Sequence, residues 1–67
     1  MKNKQGKTVN ERLKRDIEHA KLIEDAEQRK LHAYMILSAA EFAADFGMIT
    51  LTEWDIHTRE AFGLIQG

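Results

Sequence analysis

The 67-residue sequence contains no cysteine and no proline. Without cysteine the chain forms neither disulfides nor thiolate metal sites. A core built from so few residues supplies only about 3–5 kcal/mol, so small domains usually depend on a disulfide, a metal or a partner chain. We therefore expect this chain to depend on self-association.

The sequence also lacks a long hydrophobic run. A membrane-spanning helix needs about 20 consecutive apolar residues. The most apolar stretch, residues 31–48, is shorter than that and carries Glu41 and Asp45. No apolar run follows the N-terminal lysines, so no secretory signal is visible. Together with the absence of cysteine, these features lead us to expect a cytoplasmic protein without a membrane partner.

Positive charge is scarce in the second half of the chain. Residues 1–30 hold nine Lys or Arg against six Asp or Glu, whereas residues 31–67 hold one Arg against five Asp or Glu. A basic front and an acidic back favour an electrostatic match between molecules, or a basic arm directed at an acidic partner. Ordinary solvated helix faces are also mixed in charge, so the asymmetry alone selects no partner.

The first two thirds of the chain favour helix. Residues 1–7 carry three lysines and no apolar residue after Met1, which predicts a disordered basic tip. Thr8 and Glu11 have the spacing of a capping box, and no Gly or Pro follows until Gly47. We predict one long helix over about 8–46, roughly 58 Å in length. A kink or break near residues 24–30 is the alternative.

Local signals then predict a turn and a second helix. Gly47 is suited to the left-handed position that follows a helix. Thr50 and Glu53 form a second capping box, which predicts a helix over about 51–64. The connection is short, so this helix should fold back on the first. The predicted fold is an all-α single domain, residues 8–67, in which a helical hairpin pairs with a second copy in a homodimeric bundle.

The stretch 31–48 is apolar most of the way round a helix, so we expect it to be covered on several faces. The residues expected to form the core or the dimer interface are Tyr34, Leu37, Phe42, Phe46, Trp54 and Phe62. The front half carries only a narrow apolar stripe, and we expect it to gain little from burial. Its cations Arg12, Lys14 and Arg15 are therefore the predicted partner-binding residues.

No motif in the sequence predicts catalysis. A Gly-rich phosphate loop and a nucleophile motif are both missing from the sequence, so we expect neither an enzyme nor a cofactor. Asp16 with His19, and His57 with Glu53 and Glu60, have spacings that metal ligands use on helices. A metal site needs three or four converging ligands, and these spacings do not supply them, so no metal is predicted.

The sequence favours a non-catalytic protein-interaction module. The expected role is that of a small intracellular regulator or adaptor, acting as a helical homodimer with an unidentified protein partner. The alternative is a nucleic-acid-binding regulator that uses the basic N-terminal half.

Overall fold

In the computed structural model the chain forms three α-helices across residues 5–66, the part that the structure describes, with side chains described from Val9. These are α1 (Gln5–Lys21), α2 (Ala26–Asp45) and α3 (Leu51–Gln66). Each helix packs against the other two. The bundle measures 37 × 21 × 14 Å. The all-α prediction is confirmed, and residues 1–4 of the predicted disordered tip lie outside the described residues.

The prediction of one helix over about 8–46 is wrong. Residues 22–25 leave the helix, and α1 begins at Gln5 rather than at Thr8. Asp25 has an extended backbone, with φ −71° and ψ 118°, and caps α2. Its Oδ1 accepts hydrogen bonds from the amides of Glu27 at 2.9 Å and Gln28 at 3.4 Å. These bonds give the backbone an alternative to continuing the helix, so the chain turns before Ala26.

Arg29 fixes the turn between α1 and α2. Its Nη1 donates to the carbonyl of Ile23 at 3.0 Å, and its Nε donates to the carbonyl of Leu64 at 3.2 Å. The first carbonyl belongs to the turn and the second to the last turns of α3, where helices leave carbonyls without intrahelical partners. One guanidinium thus joins all three parts of the bundle at this end.

The turn between α2 and α3 confirms the role predicted for Gly47. Gly47 has φ +73°, the left-handed conformation. The amide of Met48 donates to the carbonyl of Ala43 at 2.8 Å, and that of Gly47 donates to the carbonyl of Ala44 at 3.1 Å. This pair of bonds is the Schellman motif, which satisfies the last carbonyls of α2.

The start of α3 is the predicted capping box. The amide of Thr50 donates to Oε1 of Glu53 at 2.8 Å, and the amide of Glu53 donates to Oγ1 of Thr50 at 3.0 Å. The helix runs from Leu51 to Gln66, two residues beyond the predicted end. It folds back on α2, as predicted.

The core lies where the three helices meet. Its buried apolar residues are Leu13, Ile17, Ala20, Ala33, Ile36, Ala40, Ala43, Ile49, Ala61 and Leu64. The expectation that the front half gains little from burial is wrong, because Ile17 is 0% exposed and Leu13 is 3% exposed. The narrow stripe of α1 fits the cleft between α2 and α3. Between residues 5 and 66, no helix is long and apolar enough to cross a membrane.

Candidate interaction surface

The two faces of α2 differ in side-chain size. Its buried face consists mainly of alanines, Ala33, Ala40 and Ala43, together with Ile36. Its exposed face carries large apolar side chains, which are between 51% and 66% exposed: Leu31, Tyr34, Met35, Phe42 and Phe46. We call these five residues the α2 outer face. Small side chains allow α1 and α3 to approach α2 closely, so the large side chains are placed outside.

The α2 outer face forms a band along the helix, which the exposed Ser38 interrupts between Met35 and Phe42. Leu31, Met35 and Phe42 recur at spacings of four and seven residues, which places them on one side of a helix. The band runs from Leu31 to Phe46, about 22 Å at the usual rise per residue. The rings of Phe42 and Phe46 lie 4.6 Å apart and are tilted by 57°. Such tilted pairs are a favourable aromatic arrangement.

The six predicted core or interface residues separate into two groups. Tyr34, Phe42 and Phe46 lie together on the α2 outer face, and Phe62 is exposed on α3. Leu37 and Trp54 are half-buried against the core. Leu31 and Met35 complete the outer face and were not among the predicted residues.

A groove of about 600 Å³ separates α1 from α2 beside this face. Ile23, Ile36, Met35 and Ala39 supply its apolar lining, and Arg12, Asp16, His19 and His32 supply its polar lining. We call these four polar residues the α1 edge. Met35 belongs to both the groove and the outer face, so the two surfaces are continuous.

The opposite side of the α2 outer face is acidic. Glu41 and Asp45 line shallow grooves between α2 and α3, with Trp54 as a common wall. We call these two carboxylates the α3 edge. The only arginine of α3, Arg59, pairs with Asp55 at 3.0 Å, so it does little to offset the acidic charge. The outer face therefore lies between an edge of mixed charge and an anionic one.

The three predicted partner-binding cations do not form one patch. Arg12 lines the α1–α2 groove, whereas Lys14 lines a small concavity between α1 and α3. Arg15 is exposed on the outer side of α1, the side that also carries Glu11 and Glu18. Lys21 pairs with Glu18 at 3.4 Å.

A buried histidine joins α3 to α1. His57 is 2% exposed, and its Nε2 is hydrogen-bonded to Oδ1 of Asn10. Its Nδ1 has no hydrogen-bond partner among the side chains and backbone that the structure describes. Burial lowers the pKa of His57, Lys14 lowers it further, and the carboxylates of Glu60 and Glu53 oppose the shift. The neutral imidazole is therefore the form that the fold favours.

The candidate metal ligands named from the sequence are engaged elsewhere or scattered. Glu53 accepts the Thr50 amide, and His57 is bonded to Asn10. Asp16 and His19 lie on the α1 edge. Within the described part of the chain, no group of three or more His, Asp or Glu side chains could hold a metal ion.

No protein-family model, curated protein or solved structure was found to match this chain. The candidate surface therefore rests on the chain's own geometry and charge.

Proposed function

We propose that this chain is a non-catalytic protein-interaction module that acts as a homodimer through the α2 outer face. The observation that carries the proposal is the placement of Leu31, Tyr34, Met35, Phe42 and Phe46 on one exposed helix face. Single exposed apolar residues are common on protein surfaces. Several of them on one side of the same helix indicate an interaction site.

A second copy fits this face for two reasons. Two-fold symmetry is the commonest symmetry among protein oligomers, and around such an axis each apolar face covers the identical face of the other copy. The spacing of Leu31, Met35 and Phe42 suits side-by-side packing of two helices. Aromatic side chains and methionine are also enriched in the centres of protein interfaces.

The exposed cations of α1 remain available for a different protein. Arg15 lies outside the α1 edge, and Lys14 lies at the cleft between α1 and α3. We therefore propose that the dimer is a small regulator or adaptor inside the cell, in which α1 recruits an acidic protein partner. The absence of cysteine supports the intracellular setting.

Nucleic-acid binding by α1 has weaker support. Glu11 and Glu18 flank Arg15 on the same exposed face, and Lys21 pairs with Glu18. A phosphate-binding surface instead clusters its cations on one face. A salt titration separates the two functions, because each phosphate contact adds to the loss of nucleic-acid affinity with salt.

Size-exclusion chromatography with light scattering tests the homodimer. We expect a mass of about twice the 7.7 kDa of one chain. Phe42→Lys places a charge within the outer face and should give a monomer with unchanged helical content. The matched control is Leu22→Lys, because Leu22 is an apolar residue, 78% exposed, that lies off the outer face. A monomeric wild-type protein at micromolar concentration would exclude the proposal.

A further inference from the structure

The two edges of the α2 outer face differ in charge. On the α1 edge, Arg12 is the cation and Asp16 is the anion. On the other side of the same helix, Glu41 and Asp45 form the α3 edge. Charged residues that border an apolar helix face set the orientation of helix pairs. The arrangement of these edges therefore distinguishes two ways of pairing the copies.

Two-fold symmetry allows the α2 helices to pair in either direction. If the helices run parallel, the axis lies along them, and the α1 edge of each copy meets the α3 edge of the other. If they run antiparallel, the axis crosses them, and the α1 edges meet each other. In the first arrangement Arg12 faces the acidic α3 edge, and in the second the two acidic α3 edges face each other.

The position of Arg12 along α2 sharpens this distinction. A short turn joins α1 to α2, so the two helices run in opposite directions, and Arg12 and Ala39 line the same groove at its end farthest from that turn. They therefore lie at a similar height along α2. Glu41 is only two residues, about 3 Å, beyond Ala39. In a parallel, in-register pair, Arg12 therefore lies on the same side and at nearly the same height as Glu41 of the second copy. The two-fold symmetry places Arg12 of the second copy near Glu41 of the first in the same way.

The antiparallel arrangement brings the same groups into conflict. Its best apolar match sets Leu31 against Phe46 and Met35 against Phe42, which centres the pair between Ser38 and Ala39. Arg12, which lies near this centre, then faces Arg12 of the second copy. The apolar residues pair equally well in the parallel and antiparallel directions, so the charged edges determine which direction is favoured.

We propose that two copies pair with their α2 helices parallel and in register, so that the α1 edge of each receives the acidic α3 edge of the other. This inference rests on the proposed homodimer, since it assigns the orientation of that dimer. The α3 edge of a second copy thus occupies the α1–α2 groove. Arg12 acts in self-association, whereas Arg15 stays exposed for another partner.

Cysteine cross-linking tests the orientation without interference, because the chain contains no cysteine. A disulfide requires Cα atoms within about 7 Å. Ser38→Cys lies near the middle of the exposed face and should cross-link in both orientations under mild oxidation. Leu31→Cys lies at one end and cross-links with itself only in the parallel pair. A mixture of Leu31→Cys and Phe46→Cys forms the mixed disulfide only in the antiparallel pair.

We expect Ser38→Cys and Leu31→Cys to give covalent dimers on non-reducing gels, and Leu22→Cys, off the face, to give none. If Ser38→Cys cross-links, Leu31→Cys alone does not, and the Leu31→Cys and Phe46→Cys mixture does, the orientation is wrong while the proposed function stands. If none of these variants cross-links, the α2 outer face is not a dimer interface, and both proposals are overturned.

A charge exchange provides an independent readout. Arg12→Glu and Glu41→Lys should each weaken the dimer about 2- to 10-fold in sedimentation equilibrium, and the double variant should recover most of that loss. Arg15→Glu makes the same charge change off the edge and should leave the dissociation constant within about 2-fold. A double variant weaker than both single variants would overturn the parallel orientation.

Discussion

The inner faces of α1 and α2 contribute side chains of different size to the core. On α1 the large apolar residues Leu13 and Ile17 point into the core, and charged residues cover the outside. On α2 mainly alanines, together with Ile36, point into the core, and most of the large apolar residues point outward. The first helix buries its large apolar side chains within its own chain. The second leaves most of its large apolar side chains exposed.

In the proposed homodimer, this difference separates the residues that stabilise the fold from those that pair the two copies. Removing a buried aliphatic side chain lowers stability through lost burial and the remaining cavity. Removing an exposed one has little effect on the fold that carries it.

The largest effect is expected at Ile17, which is 0% exposed. Ile17→Ala should lower the free energy of unfolding by about 2–5 kcal/mol, a large part of the stability of so small a fold. The matched change at an exposed aliphatic residue, Leu22→Ala, should cost less than about 0.5 kcal/mol. Urea titrations followed by circular dichroism measure both. Equal losses would contradict the placement of α1 in the core.

Arg29 comes next. Arg29→Met keeps the aliphatic length of the side chain but removes the bonds to the carbonyls of Ile23 and Leu64. Hydrogen bonds from a charged donor contribute about 1.5–3 kcal/mol each, less where they are partly exposed, so a loss of about 2 kcal/mol is expected. Lys30→Met is the control, because no hydrogen bond ties Lys30 to the described side chains or turns. A similar loss in both variants would show that the two hydrogen bonds of Arg29 do not stabilise the turn.

Gly47→Ala should lower the free energy of unfolding by about 1–2 kcal/mol. Nothing lies within 4 Å of a Cβ added there, so the cost of Gly47→Ala comes only from its φ of +73°. Gly63→Ala is the control, because Gly63 lies inside α3 and also has open space around a Cβ. That change should be neutral or stabilising. Thermal melts at one fixed protein concentration compare them, and an unchanged melting temperature for Gly47→Ala would exclude strain at this position.

The smallest effect is the pH dependence that His57 contributes. Burial lowers the pKa of His57 in the folded chain below the ordinary value of 6.5. As pH falls below 6.5, the unfolded chain takes up the proton first, so this contribution to stability is complete above that pH. It is lost progressively as pH falls from 6.5 towards the lower folded pKa, and it then levels off.

Glu60 and Glu53 on α3 oppose this shift, and Lys14 on α1 supports it. Urea midpoints measured between neutral pH and the onset of carboxylate titration should therefore decrease in the wild type. The decrease should be smaller in His57→Gln than in the wild type. A decrease that persists in His57→Gln would assign the pH dependence to other groups.

Local patterns predicted the turn after α2 and the start of α3. Gly47, Thr50 and Glu53 act through hydrogen bonds between residues close in sequence, so their spacing is sufficient. The break at Asp25 was also readable, because Asp25 followed by Gln28 three residues later has the spacing of a capping box. The high helix propensity of the surrounding residues obscured that signal.

Long-range features were not readable from the sequence. The bond from Arg29 to the carbonyl of Leu64 joins residues 35 positions apart, and no local pattern indicates it. The sidedness of α2 was hidden because apolar residues surround the helix, so periodicity alone does not identify its inner face. Close approach of α1 and α3 to the alanines decides it, and this depends on how the bundle packs.

The most direct test of the account is sedimentation equilibrium of the wild type and of Phe42→Ala over a concentration series, combined with unfolding of each protein at its lowest concentration. We predict a monomer–dimer equilibrium that Phe42→Ala shifts at least about 10-fold towards monomer, with unfolding of the dilute monomer changed by less than about 1 kcal/mol, because Phe42 is 62% exposed. A single 7.7 kDa species at every wild-type concentration, or unfolding of the dilute monomer by Phe42→Ala, would contradict the account.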